Sequence, residues 1–152
     1  MKRTILFAIT LIILQTGYSF CQDKGFGLGV IVGEPTGVSA KYWMSSVTAI
    51  DAALAWSFVD QGALHIHADY LFHNFHLITF ETRGTWPVYY GIGARLKFGD
   101  EDTKLAIRIP VGAEYLFSDA PVDIFLEVVP MLELIPKTKF QFNAALGARY
   151  FF

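Results

Sequence analysis

The chain has 152 residues, room for one domain, and it is apolar for that length: 53% of its residues are hydrophobic and 17% charged, against about 45–50% and about 25% in average soluble domains. A net charge of −2 without Lys/Arg clusters argues against a nucleic-acid partner. No internal stretch reaches the roughly 18 uncharged apolar residues that a membrane-spanning helix needs, so any membrane contact has to be made another way.

The first predicted element is a leader. Lys2 and Arg3 supply a positive start, "TILFAITLIIL" is an apolar run of suitable length, and "TGYSFCQDK" brings small and then polar residues. This pattern predicts a secretory signal peptide over 1–21, with Ser19 and Cys21 as the small residues before the cut and Gln22 as the new N-terminus. Cleavage after Ser19 is the alternative, and the bulky Phe20 argues against a lipid-attachment reading of Cys21. The mature domain, 22–152, then carries no cysteine, which excludes disulfide and thiol chemistry.

Past residue 22 the apolar residues alternate with polar ones. Strands are expected at about 25–33, 37–44, 47–58, 64–73 or further, 85–98, 105–117, 122–134 and 139–152. In "LHIHADYLF" the positions Leu64, Ile66, Ala68, Tyr70 and Phe72 face one way, and His65, His67 and Asp69 the other. "LAIRIPVGAEY" sets Leu105, Ile107, Ile109, Val111 and Tyr115 against Arg108, Gly112 and Glu114. In "FQFNAALGARYFF" the residues Phe140, Phe142, Leu146, Tyr150 and Phe152 oppose Gln141, Asn143, Gly147 and Arg149. Turn-like pieces lie between: "GEPTG", "SS", "VDQGA", "ETRG", "GDEDTK", "SDAP" and "PKTK". Pro110 and Pro130 fall mid-strand and predict a bulge or a missing bond at each. Phe75 and Leu77 change parity from Phe72, which a bulge near His73 and Asn74 would repair.

Eight antiparallel strands make either a sandwich or a closed barrel, and the face that carries charge decides between them. Here the charged face is rich in small residues. Gly27, Gly29, Ser39, Ala53, Ala55, Gly91, Gly93, Gly112, Ala145 and Gly147 share it with Lys41, Asp51, Arg95, Lys97, Arg108, Glu114, Asp123, Glu127 and Arg149. A narrow interior needs that mixture, whereas a soluble surface would not leave the opposite, greasy face uncovered. Aromatic residues collect near strand ends: Phe26, Tyr42, Tyr70, Phe72, Trp86, Tyr115 and Tyr150 toward one rim, and Trp56, Phe58, Phe98 and Phe140 toward the other. The expectation is an eight-stranded antiparallel up-and-down transmembrane β-barrel with a polar lumen, its aromatic residues forming the two interfacial girdles.

"YYGIGARLKFG", "RIPVGAEYLF", "FLEVVPMLELIP" and the terminal "ARYFF" resemble a family of small, uncharacterised outer-membrane barrels of spirochaete type, itself similar to the membrane domain of OmpA and to OmpX. The resemblance spans nearly everything after the leader. It implies a bacterial outer-membrane location and a salt-bridged plug in the lumen, and offers no shared catalytic residues. Gly147, Tyr150 and Phe152 resemble the C-terminal signal that the outer-membrane assembly machinery reads.

Three kinds of chemistry compete for the polar residues. Lys41, Arg95, Arg108 and Arg149 stand against Asp51, Asp69, Glu114 and Glu127, with Glu133 as a further candidate. Buried charges have to be paired or watered, so these predict a closed lumen; a narrow pore is the alternative. His65, His67 and Asp69 have the His-x-His spacing of a strand-borne zinc site. The reading preferred for them is lumen filling, with no metal and no cofactor. A lipid-modifying enzyme would need a Ser, His and acidic set near the outer leaflet, and none is present among the outward positions; Glu34, Asp60, Asp100, Glu101 and Asp102 read as solvated turn charges. The expected role is therefore structural or surface-interacting, with outer-membrane lipid as the first partner. An extracellular ligand or host protein would meet the turns at 33–37, 59–63, 99–104 and 135–139.

Overall fold

The computed structural model describes residues 25–34, 36–56, 63–99 and 103–152. The expected leader, Phe58, Asp60 and Asp100 to Asp102 lie outside them. Among the described residues nine strands form: β1 (Gly25–Gly33), β2 (Thr36–Trp43), β3 (Thr48–Trp56), β4 (Leu64–Asn74), β5 (Val88–Phe98), β6 (Thr103–Arg108), β7 (Val111–Leu116), β8 (Val122–Ile135) and β9 (Lys139–Phe151). Each pairs antiparallel with its neighbours, and β1 pairs with β9, so the sheet closes into a barrel.

The nine strands occupy eight places in the wall. β6 and β7 both pair with β5 on one side and β8 on the other, and they are the two halves of the single strand expected at 105–117. Pro110 divides them. The register is the same on both sides of the gap, Gly93↔Arg108 continuing as Tyr90↔Val111, so the proline introduces no bulge. It removes a bond. Gly91 N–H donates to the Pro110 carbonyl at 2.9 Å, and the return bond has no donor. The same holds where Ile109 donates to Pro130 (3.0 Å) and Glu114 donates to Pro87 (2.9 Å). Three one-sided pairs thus fall on the adjoining β5, β7 and β8. The bulge in this wall lies elsewhere, opposite Leu105/Ala106.

Two further expectations need correction. β4 keeps its pairing through His73↔Tyr89 and Asn74↔Val88, so no bulge occurs there. Phe75 and Leu77 break the alternation because the strand has ended. Likewise the strand expected from 85 begins at Val88; Thr85 contributes an isolated bridge to Leu116, and Pro87 interrupts what lies between.

Following the pairing from Arg149 through Gly29, Ser39, Ala53, His67, Arg95, Ala106 and Glu133 returns to β9 at Lys139, a stagger of 10 residues. With a rise of about 3.3 Å and a spacing of about 4.8 Å, that stagger tilts eight strand positions by about 41° from the axis. Such a barrel is just filled by its own side chains.

The two faces divide as the alternation predicts. Ile66, Leu96, Ile107, Leu126 and Leu146 are exposed on the outside, while Lys41, Arg95, Arg108, Glu114 and Arg149 are buried inside. A charged interior within an apolar, aromatic-edged wall is the arrangement of a transmembrane barrel. Phe26, Tyr42, Phe72 and Tyr150 are exposed toward the rim that carries both ends of the barrel, and Trp56, Phe98 and Phe140 toward the far rim. Tyr90 and Phe142 belong to the same two belts.

Candidate functional site

The lumen is built in layers, which the strands set two residues apart. Nearest the terminal rim, Trp43, Ala49, Leu116 and Phe151 pack together with Phe75 against them, making an apolar stopper. Parity with Lys41 and Arg149 puts Trp43 and Phe151 inside, although their chemistry alone does not. Phe151 is 4% exposed between two outward-facing aromatics, Tyr150 and Phe152.

The next inward residues on the same strands are Lys41, Asp51, Glu114 and Arg149. Lys41 Nζ donates to Glu114, lies 2.9 Å from His73 Nε2, and sits 4.2 Å above the Trp43 ring. Arg149 gathers three carboxylates: Nη1 donates to Asp51, Nε donates to both oxygens of Asp123 at 3.2 and 3.1 Å, and Nη2 lies 4.0 Å from Glu114. Its guanidinium also stacks 4.0 Å from the Phe125 ring centre. The ring occupies the space left by Gly147, where a Cβ would come within 2.3 Å of it and 2.6 Å of the Val30 carbonyl. That glycine therefore has an interior reason to be small, besides its place in the expected assembly signal.

Further along the axis Arg108 Nε donates to Asp69 at 3.0 and 3.1 Å, and its Nη2 donates to Glu127 at 3.5 Å. Tyr89 O–H donates to the other Glu127 oxygen at 3.1 Å. Toward the far rim Arg95 lies 3.8 Å from Glu133 and donates to Gln141 at 3.3 Å, while Lys104 is 3.7 Å from Glu133.

All eight residues expected to form the lumen network are buried inside, in three local groups of which the first two meet at Tyr89, 5.4 Å from the His73 ring and bonded to Glu127. The sequence reading leaves out His73 and Tyr89, which supply polar atoms from strand ends whose inward parity is clear only once β4 and β5 are paired. The two groups nearer the terminal rim hold Lys41, Arg108 and Arg149 against Asp51, Asp69, Glu114, Asp123 and Glu127. In the far-rim group Arg95 and Lys104 both approach Glu133.

His65, His67 and Asp69 do share the inner face, but they do not converge. His67 Nε2 is 3.9 Å from Asp69, whose carboxylate is engaged by Arg108. Among the described residues no group of three His, Cys, Asp or Glu side chains is placed to hold a metal.

No protein-family model matches the chain, and no curated protein does. Among solved structures, the crystal structure of the N-terminal β-barrel domain of Pseudomonas aeruginosa OprF matches with a TM-score of 0.61 at 14% identity, over 85% of this chain and 98% of that one. At that identity the likeness is one of fold. It supports the closed antiparallel β-barrel that the strand pairing reaches independently.

Proposed function

We propose that this chain is a non-enzymatic outer-membrane barrel with a sealed lumen, serving a structural or surface-interaction role. The observation that carries this reading is the lumen itself: Arg149, Arg108 and Lys41 each bind carboxylates across it, and the Trp43, Leu116 and Phe151 stopper closes one end. A solute would have to break buried ion pairs to pass, and each costs several kcal/mol to open without replacement partners. The OprF likeness supports the outer-membrane location, and export through the leader at 1–21 agrees with it. The terminal rim then faces the periplasm. The finer resemblance to the small spirochaete-type family belongs to the same reading, as does recognition of Gly147, Tyr150 and Phe152 by the assembly machinery.

The far-rim turns follow Gly33, Trp56, Phe98 and Ile135, and they are where an extracellular ligand or host protein would be met. Planar-bilayer recordings of the refolded chain should show no steady single-channel conductance. Stable conductance steps would refute the sealed lumen in favour of a narrow pore, and release of fatty acid from purified lipid A would refute the non-enzymatic reading. Substitutions in all four far-rim turns that leave adhesion unchanged would leave the structural role alone.

A further inference from the structure

Outer-membrane barrels keep their turns short on the periplasmic side and place length on the other. This chain reverses that at one position. At the terminal rim the connection from Asn74 to Val88 is the longest between consecutive strands, whereas the far-rim crossing from Gly33 to Thr36 is among the tightest.

The long connection serves two sides of the wall. Phe75 turns inward, its ring 6.4 Å from Trp43. Phe80 lies outside, its ring edge-on to Trp86 at 5.8 Å; Trp86 in turn lies 4.7 Å from Tyr115, and Tyr115 4.6 Å from Phe117. Tyr115 stands between the inward Glu114 and Leu116, so this aromatic ladder climbs the outer face. The segment is fastened there. Thr85 and Leu116 exchange backbone bonds at 3.1 and 2.9 Å, Trp86 Nε1 donates to Thr82 at 3.3 Å, and Arg83 reaches Asp119 at 3.8 Å. At Gly84 a Cβ would meet the Leu116 carbonyl at 2.4 Å and the Tyr115 ring at 2.5 Å, so only glycine fits that approach. The result presents Leu77 and Phe80 to the surroundings, 66% and 61% exposed, beside the charged Glu81 and Arg83.

Single exposed apolar residues are ordinary. These are not isolated: the ladder continues the lipid-facing aromatic belt of Phe72 and Tyr90 at the same rim. Amphipathic rings at headgroup level with charges in the polar layer are the chemistry of a membrane interface. We propose that residues 77–86 are an interfacial anchor, with Leu77 and Phe80 entering the acyl edge of the leaflet at the terminal rim, and that this leaflet's lipid is the partner the loop is built for. The proposal rests on the membrane-spanning reading of the wall.

The test uses the full chain with Cys21→Ser, refolded into phosphatidylcholine vesicles, with an environment-sensitive fluorophore on Leu77→Cys or, as wall control, Phe72→Cys. Both positions should emit blue-shifted light, be quenched at least twofold by lipid bearing a nitroxide near the headgroup, and resist aqueous iodide. A Leu77 site open to iodide and untouched by the nitroxide, beside a lipid-quenched Phe72 site, overturns the anchor and leaves the barrel intact. Failure of lipid quenching at both sites overturns the membrane-spanning wall as well. Blue-shifted, iodide-resistant emission at Leu77 without nitroxide quenching, appearing only at high protein-to-lipid ratio, assigns the surface to a second copy of the chain and also refutes the proposal.

Discussion

Replacing Arg149 by methionine tests whether the lumen is held by charge pairing. The guanidinium is fully buried and is shared by Asp51 and Asp123, with Glu114 at its edge. Methionine keeps most of the stem, and with it packing on Phe125, while taking away the charge. Lys41 already binds Glu114, so Asp51 and Asp123 are left in the lumen without the cation that both of them bind. Removing one partner of a buried ionic group destabilises by about 3–5 kcal/mol, because the remaining charge keeps its desolvation penalty. Urea unfolding in lipid vesicles, followed by the electrophoretic mobility of the folded form, measures the loss. Asp123→Asn alone should cost less, about 1.5–3 kcal/mol, since Arg149 keeps Asp51. In the double variant part of the penalty disappears with the carboxylate, so the two effects should fall short of additive by about 0.5–3 kcal/mol. Strict additivity, or a loss under about 1 kcal/mol for Arg149→Met, would refute the pairing argument.

Pro110→Ala should restore an amide aimed at the Gly91 carbonyl, because the register runs unbroken across that position; amide exchange should find the new N–H protected, and exchange as fast as in a turn would contradict the one-sided pair. Gly147→Ala should destabilise by about 1–3 kcal/mol through overpacking against Phe125 and the Val30 carbonyl, measured by the same urea titration; a neutral outcome would mean the ring is not seated there. Val128→Arg, at the middle of β8 on the outer face, should lose about 2–4 kcal/mol in vesicles, whereas the same change on a water-facing strand is nearly silent; a silent result would place that face in water. Folded chain extracted from membranes should migrate differently before and after boiling, and identical mobility would count against a closed barrel.

The wall was legible because a period of two survives in any well-formed strand. Leu64 to Phe72 reads as one row and His65 to Asp69 as the other whether or not the partners are known. The interior was legible only as a set. Lys41 and Glu114 stand 73 positions apart and Arg149 and Asp51 98 apart, so which acid meets which base depends on the stagger of the whole cylinder, a sum over eight registers that no single strand displays. Residue chemistry alone does not mark the stopper: Trp43, Leu116 and Phe151 are apolar yet inward, on the same parity as Lys41, Glu114 and Arg149. Turn length hid the rest. Phe75 and Phe80 look like a broken strand in "HNFHLITF" because once β4 stops, parity no longer governs which side a ring takes.

The stagger of 10 residues also determines where this chain can grow or shrink. Deleting one residue inside a strand would turn every later side chain on it inside out and leave the seam between first and last strands mismatched, so heredity and engineering alike must spend their insertions where the polypeptide leaves the cylinder. The hairpin bends are its readily edited margins.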